Sequence, residues 1–505
     1  MGALWHRTNR GLVWFHRWAG IVLGLLFVTW FVSAAVLVYV PFPSLSNHDR
    51  LVNSEPIDGS RLSRGPQWAV NAVPGVQSLQ LISVAGRPTY LAFPADAPPV
   101  ALSADQSPIS GLFSVETAKV VAERFGRAPW ISVTGPLQYD QWIVHQRFDP
   151  FRPFYRVRLA DTDETDLYVS ARTGQVLQRT RGTERAWNWC GAVLHWLYFT
   201  PLRQSWNAWN QTVWWLSLAA LLTSIAGTWL GIDRLVRVRA RNPSKWSPFR
   251  GWMRWHHVFG LFASAIVLVW IFSGWLSMDH GRLFSMGKPT AQAVARLQGI
   301  PLSEIVRDVP SAFLSRFGPV SEIRFGAVAG RPFVSARGGP QAAARILWLD
   351  LGTSVTTAIP PSLLLSGLHA AWPQESLIED AATPSDFYAI AESLDDTAAP
   401  FQVGGSRLRV YVDSVTGQLL AVMDASRRAY AWVYYALHTF KFPVLFAHPT
   451  LRATLEVVFL AIGLAFICTG IVLGVQRLRK TIASSTSNPL PASDRPPRFA
   501  RRSPR

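Results

Sequence analysis

The sequence predicts a membrane α-helical bundle of four transmembrane helices, built as an internal duplication, with two α+β domains on the far side of the membrane. Three observations predict it. Four apolar runs reach the ~20 residues that an α-helix needs to cross a bilayer. Charged residues are only 16% of the chain against 49% hydrophobic, well below the roughly 25% charged of a soluble protein. Finally, residues recur at a nearly constant spacing along the whole length.

The apolar runs lie at Leu12–Val40, Gln211–Leu235, Trp255–Met278 and Leu455–Val475. Ser33-Ala34-Ala35 resembles a signal-peptide cleavage site. The first run is too long for a signal-peptide core, however, and a matching segment recurs mid-chain, where no cleavable signal works. It is therefore read as a retained helix. The 23 Trp residues fit the same class, because indole rings favour the lipid–water boundary.

A net charge of +18 raises the question of nucleic acid, and its distribution argues against it. The cations sit beside the apolar runs, in Met1–Arg17, in Arg234–Arg254 and after Val475. Seven Lys/Arg and no acid fall between Arg234 and Arg254. Short basic juxtamembrane segments mark the cytoplasmic side and suit anionic lipid. The orientation that follows is a bacterial inner-membrane, multi-pass protein with cytoplasmic termini and two periplasmic segments.

The expected organisation is a cytoplasmic N-terminus with helix one over 1–40, a first periplasmic domain over 41–185, and an interfacial segment with helix two over 186–236. A basic loop at 237–254, helix three at 255–278 and a second periplasmic domain at 279–428 follow. An interfacial segment with helix four at 429–476 and a disordered basic tail at 477–505 complete it.

The repeat is the most informative pattern. An offset of 240 superposes His16 on His256, Gly20 on Gly260, Trp30 on Trp270 and Ser33 on Ser273. An offset of 243 lays Thr173-Gly174-Gln175 over Thr416-Gly417-Gln418, His195 over His438, Gly227 over Gly470 and Gly231 over Gly474. Ala85-Gly86-Arg87-Pro88 recurs as Ala329-Gly330-Arg331-Pro332 at 244. Two units of the same membrane orientation imply a pseudo-twofold axis along the membrane normal. Inside each far-side domain the patterning is α+β. Ser114 opens a helical pattern that ends at Gly126, strand-like runs occupy Phe154–Leu159 and Asp166–Val176, and Arg407–Val412 and Gln418–Val422 flank a turn.

A strand, Thr-Gly-Gln, strand hairpin and a helix opening with Trp/Phe-His-x-x-x-Gly, both repeated in order, resemble the PepSY-associated transmembrane proteins. The resemblance runs from about Trp14 to Gln476. It implies PepSY-like far-side domains. It also implies kinship with iron-regulated inner-membrane proteins similar to ferrisiderophore reductases that carry b-type haem.

Four of the eleven histidines, His16, His195, His256 and His438, are repeat-equivalent. A pseudo-twofold brings such side chains face to face, the arrangement a bis-imidazole haem requires. His16 and His256 are each followed four residues later by glycine, Gly20 and Gly260, on the same helix face and with room for a flat macrocycle. Arg17 and Arg254 stand close enough to pair with propionates. His257 competes with His256 as the ligand.

His195 and His438 precede helices two and four in short amphipathic segments that Pro201 and Pro443 interrupt, and a second haem there gives electrons a route outward. The rival reading makes these histidines interfacial anchors. His369 has no repeat partner and reads as structural, while Ser33, Ser273, Trp30 and Trp270 read as helix packing.

No Gly-x-Gly-x-x-Gly, phosphate loop, nucleophile elbow or His-Glu-x-x-His appears. With no nucleotide or flavin site visible, electrons would have to come from a quinol or a cytoplasmic reductase. The histidine pairs taken with the resemblance imply a protein that holds two haems b and delivers electrons to a periplasmic acceptor, such as the ferric siderophore the resemblance suggests. Two rivals remain: a membrane-anchored PepSY binding or regulatory module without redox activity, and a transporter. Against transport, Glu456 lies at a span's end and the span centres hold no acids.

Overall fold

The structure is a computed structural model that describes residues 2–107, 109, 111–338, 344–350, 355–379, 400–405 and 407–486. Four helices are long and apolar enough to cross a membrane: Gly2–Leu37, Trp206–Arg241, Gly251–Ser277 and Pro449–Thr486. Each outruns its apolar core at one or both ends, because helix-favouring Arg and Lys residues extend the hydrogen-bonded ladder beyond the apolar run. The first ten residues assigned to a disordered tail, 477–486, are helical for that reason. The rest of that tail, 487–505, lies outside the described residues. Only 28–33% of each span's most apolar window is buried within the protein, so the remaining apolar surface requires lipid rather than water.

The chain divides into two compact units. One gathers the described parts of Met1–Phe31, Leu218–Ile271 and Val458–Arg505. Helix–helix contact there runs through glycines, as in bundles where small residues let backbones approach. A Cβ at Gly24 would lie 2.7 Å from Ile471, and one at Gly474 would lie 3.3 Å from Ile21. Gly463 receives the ring of Phe31, which also meets Trp270 edge-on at 5.7 Å.

The other unit comprises Val32–Ser217 and Phe272–Val457. Its strands are β1 (Val76–Val84), β2 (Arg87–Pro94), β3 (Val100–Ser103), β4 (Trp130–Leu137), β5 (Phe154–Leu159), β6 (Asp166–Ser170) and β7 (Val176–Thr180). Then follow β8 (Glu322–Val328), β9 (Arg331–Arg337), β10 (Arg345–Trp348), β11 (Val355–Thr356), β12 (Ile378–Glu379), β13 (Pro400–Gly404), β14 (Arg409–Asp413) and β15 (Leu419–Met423). Strands β4 to β7 form one four-stranded sheet and β12 to β15 another.

The third sheet is seven-stranded, in the order β11-β10-β9-β8-β1-β2-β3. It is therefore built jointly by the two long segments that the sequence divides into separate domains. Strands β1 and β8 pair antiparallel through Gln80↔Arg324, Leu81↔Ile323 and Ile82↔Glu322. Each would otherwise present an open edge. Leu79, Leu81 and Tyr90 share one buried core with Ile323, Phe325 and Val334.

Local signals shape the elements as read. The Ser114 hydroxyl accepts from the Thr117 amide and caps helix Val115–Gly126, after which Arg127 turns left-handed. The β6–β7 and β14–β15 turns place Gly174 at φ +70 and Gly417 at φ +66, conformations only glycine adopts without strain. The Ser170 hydroxyl accepts from the Thr173 amide at 3.0 Å, and Asp413 Oδ1 accepts from the Thr416 amide at 3.2 Å. Ala85-Gly86 and Ala329-Gly330 make the β1–β2 and β8–β9 turns with φ near +50 and then near +77, the mirror-image turn that suits twisted hairpins.

Candidate functional site: two histidine pairs

His16 lies on the first long helix and His256 on the third, within the first unit. Their ring centroids are 6.3 Å apart with 34° between planes. The His16 Nδ1–H donates to the Thr223 carbonyl at 3.0 Å. A carbonyl only accepts, so Nδ1 carries the proton and the neutral ring presents its lone pair at Nε2. Gly227 makes this approach possible. A Cβ there would sit 2.9 Å from His16 Nδ1 and nearer still to Cε1, so any side chain would displace the ring.

His256 is fixed in the same sense by different atoms. Its Nδ1 lies 3.0 Å from the Thr469 hydroxyl, and that hydroxyl donates its own proton to the Phe466 carbonyl at 2.6 Å. The hydroxyl oxygen is left to accept, so Nδ1 is again the protonated nitrogen. Gly470 faces this ring as Gly227 faces His16, with a Cβ falling 3.2 Å from Cε1. Phe466 stacks on His256 at 4.9 Å and 19°.

His257 turns elsewhere. Its Nε2–H donates to the Gly231 carbonyl at 2.9 Å, and Phe249 meets its ring edge-on at 5.5 Å. The ring that faces His16 is therefore that of His256.

The glycines that follow each histidine do not touch the imidazoles. A Cβ at Gly20 would meet nothing within 4 Å, and one at Gly260 would lie 2.9 Å from the Phe466 ring. Arg17 and Arg254 are exposed, and among the described residues neither makes an ion pair.

The second pair lies in the second unit. His195 follows a π-helical turn at Trp189–Val193, and His438 ends one at Trp432–His438. Their centroids are 6.2 Å apart and their planes 49°. Ser33 Oγ lies 3.0 Å from His195 Nδ1, and Ser273 Oγ lies 3.2 Å from His438 Nδ1. Both serines are fully buried. Two residues beyond each histidine the backbone turns left-handed, at Leu197 (φ +52) and Phe440 (φ +49). Such strain in a side-chain-bearing residue persists where surrounding structure imposes it, commonly at functional sites. Gly274 clears space for His438, since a Cβ there would lie 2.9 Å from Cε1.

Sequence reading thus passed over Thr223, Thr469, Ser33 and Ser273 as histidine partners. It noticed Gly227 and Gly470 only as repeat markers. The available signal was the repeat itself, since Ser33/Ser273 and Gly227/Gly470 are matched pairs. Thr223 and Thr469 are not matched, so nothing in the sequence pointed to them.

Three further histidines are locally engaged. His369 Nε2–H donates to the Leu377 carbonyl at 3.0 Å. His280 stacks on Trp214 at 4.6 Å. His145 Nδ1 accepts from the Arg147 amide, and burial, followed by the charges of Arg203 and Arg147, pushes its pKa down to about 4.

Two imidazoles bound trans to one metal have a defined spacing. Metal–imidazole bonds of about 2.0–2.1 Å, plus roughly 1.1 Å from nitrogen to ring centre on each side, put the centroids about 6.3 Å apart. Both pairs stand at that distance. Among the described residues no group of three or more His, Cys, Asp or Glu that could hold a metal ion gathers. Two imidazoles hold a metal well when its other positions are filled by a macrocycle.

A family model described as PepSY-associated TM region matches residues 13–303. No curated protein matches the chain.

Proposed function

The chain belongs to the PepSY-associated transmembrane family and is a multi-pass membrane protein, and from that premise we propose that it is an inner-membrane electron-transfer protein with two b-type haems. The carrying observation is the pair of imidazole–imidazole separations, 6.3 and 6.2 Å, with the Nδ1 of all four rings within hydrogen-bond distance of a carbonyl or hydroxyl oxygen.

The residues present fit the group. His16 with His256, and His195 with His438, would hold the two haems through imidazole nitrogens, while Arg17 and Arg254 are the cations for propionates of the first haem. Gly20 leaves open space beside His16. When bound, each haem supplies a one-electron iron couple. The protein's own part is to hold the imidazoles. Donation from Nδ1–H to Thr223 and Thr469 fixes tautomer and ring plane and makes Nε2 more basic. The apolar spans keep water from the sites, which raises the weight of every such hydrogen bond.

The finer architecture belongs to the same proposal. Duplication is supported by the matched turns at Ala85-Gly86 and Ala329-Gly330. It is also supported by the register of β1 with β8, in which the repeat-equivalent residues Gln80 and Arg324 pair with each other. The juxtamembrane cations support cytoplasmic termini and a periplasmic placement of the β-sheet segments. In that orientation electrons enter from a quinol or a cytoplasmic reductase and leave to a periplasmic acceptor, a ferric siderophore being the class that the family resemblance favours.

The test is a dithionite-reduced minus oxidised spectrum of the detergent-purified chain, with pyridine haemochrome quantitation. The expected result is low-spin b-type bands at two haems per chain, falling to one in His16→Ala and one in His438→Ala. Protein from haem-replete cells with no Soret band would retire the proposal in favour of a membrane-anchored binding module.

A further inference from the structure

A stripe of tyrosines leads away from His438. Tyr430, Tyr434 and His438 follow one another at four-residue spacing along helix Ala425–Ala431 and the π-helical turn after it, so they share one face. The Tyr434 ring lies 5.9 Å from that of His438 and nearly parallel, at 17°. Tyr430 lies 5.8 Å from Tyr434. Beyond it, the half-buried Tyr430 ring meets Phe284 at 5.4 Å and carries the Arg427 guanidinium 4.3 Å above its centre. These separations lie within the range of favourable aromatic contact.

The stripe is one-sided. At the repeat offset, the position of Tyr434 is Gly191, where a Cβ would already lie 3.0 Å from Val36. The position of Tyr430 is Trp187, which is 57% exposed. The residue at the place of Tyr434 in the first repeat therefore carries no ring, and packing against Val36 leaves no room for a side chain there.

We propose that Tyr434 and Tyr430 form the electron exit from the His195–His438 site, ending at an Arg427-flanked surface that receives an anionic ferric chelate. This rests on the haem reading. With haem held by His195 and His438, the site would supply one electron to iron(III) of the chelate, leaving its own iron oxidised by one unit. No bond forms or breaks and no proton moves. The rings act as a bridge, since coupling between donor and acceptor falls steeply across gaps and contiguous π-systems shorten them.

The test uses full-length, detergent-purified wild type and the variants Tyr434→Leu, Tyr434→Phe and Tyr430→Leu. Haem content, reduced spectrum and midpoint potential are recorded for each. The reduced proteins are then mixed with ferric citrate in a stopped-flow spectrometer. The expected result is several-fold slower reoxidation in both Leu variants at unaltered haem content and potential, with Tyr434→Phe at the wild-type rate.

Leu variants that reoxidise like wild type overturn the inference and leave the haem reading intact. If Tyr434→Leu loses haem or shifts the potential while Tyr430→Leu stays fast, Tyr434 is a wedge for His438 and the exit is overturned. Wild type without haem removes both proposals, and the spectrum reveals that before any rate is compared.

Discussion

Gly227→Ala is the sharpest perturbation of the first pair, because the clash it creates is with the imidazole itself. The added Cβ would fall 2.9 Å from His16 Nδ1 and 3.2 Å from Nε2, with Cε1 closer still. His16 must swing away, and its bond to the Thr223 carbonyl goes with it. Overpacking of this kind costs roughly 1–3 kcal/mol and the lost hydrogen bond about 1 kcal/mol. Against these stands the gain of about 1 kcal/mol for replacing glycine by alanine inside a helix.

The net is a loss of about 2 kcal/mol, or roughly thirty-fold weaker retention of a ligand that needs His16 in place. Two alanine variants calibrate it. Gly470→Ala puts its Cβ 3.2 Å from His256 Cε1, which a shift of a few tenths of an ångström relieves, so its effect should be smaller. Gly231→Ala, one turn along from Gly227, makes only an ordinary 3.6 Å contact with Leu261 and should be neutral or mildly stabilising. The assay is haem per chain by pyridine haemochrome after extensive washing, beside the thermal melt of each variant. The expected order of loss is Gly227→Ala, Gly470→Ala, Gly231→Ala. Gly227→Ala with full haem and an unchanged melt would refute the placement of His16 against the second long helix.

Thr469→Val removes the hydroxyl that accepts from His256 Nδ1–H. It makes Nε2 a weaker donor to ferric iron, so the midpoint potential of one haem should rise, by up to ~40 mV if about 1 kcal/mol of hydrogen bonding is lost from the oxidised state alone; redox titration followed in the α band reads it, and a fall in potential contradicts the assigned tautomer. Glu322 is buried, and desolvation alone would raise its pKa, yet Arg324, Arg50 and Arg337 hold it down to about 2. Its folded pKa lies below the ordinary 4.5, so the stability it contributes is present above pH 4.5 and drains away as pH falls toward 2. Melts across that window should steepen with acid in wild type and flatten in Glu322→Gln, and parallel curves would remove Glu322 as the acid-sensitive group.

Much of the architecture is a local property and was legible from the residues alone. An apolar run long enough to cross a bilayer is a helix there for want of any other way to satisfy its backbone. Ser114 caps whatever helix follows it, and a Gly at position 174 or 417 announces a left-handed turn before any neighbour is known. The repeat-equivalent histidines are likewise visible as numbers in a sequence.

What no local rule contains is the rotation of one helix against another. Periodicity states that Gly20 shares a face with His16. It cannot state that Gly227, on a different helix, is the residue against the imidazole, or that Ser33 meets His195 rather than a packing neighbour. The joint seven-stranded sheet has the same origin. The patterns of β1 and β8 each specify a strand with one buried face, while their pairing depends on two open edges meeting across more than two hundred residues of chain. Contacts between distant segments depend on packing, which selects among many faces of similar apolarity, and only the tertiary structure decides which faces meet.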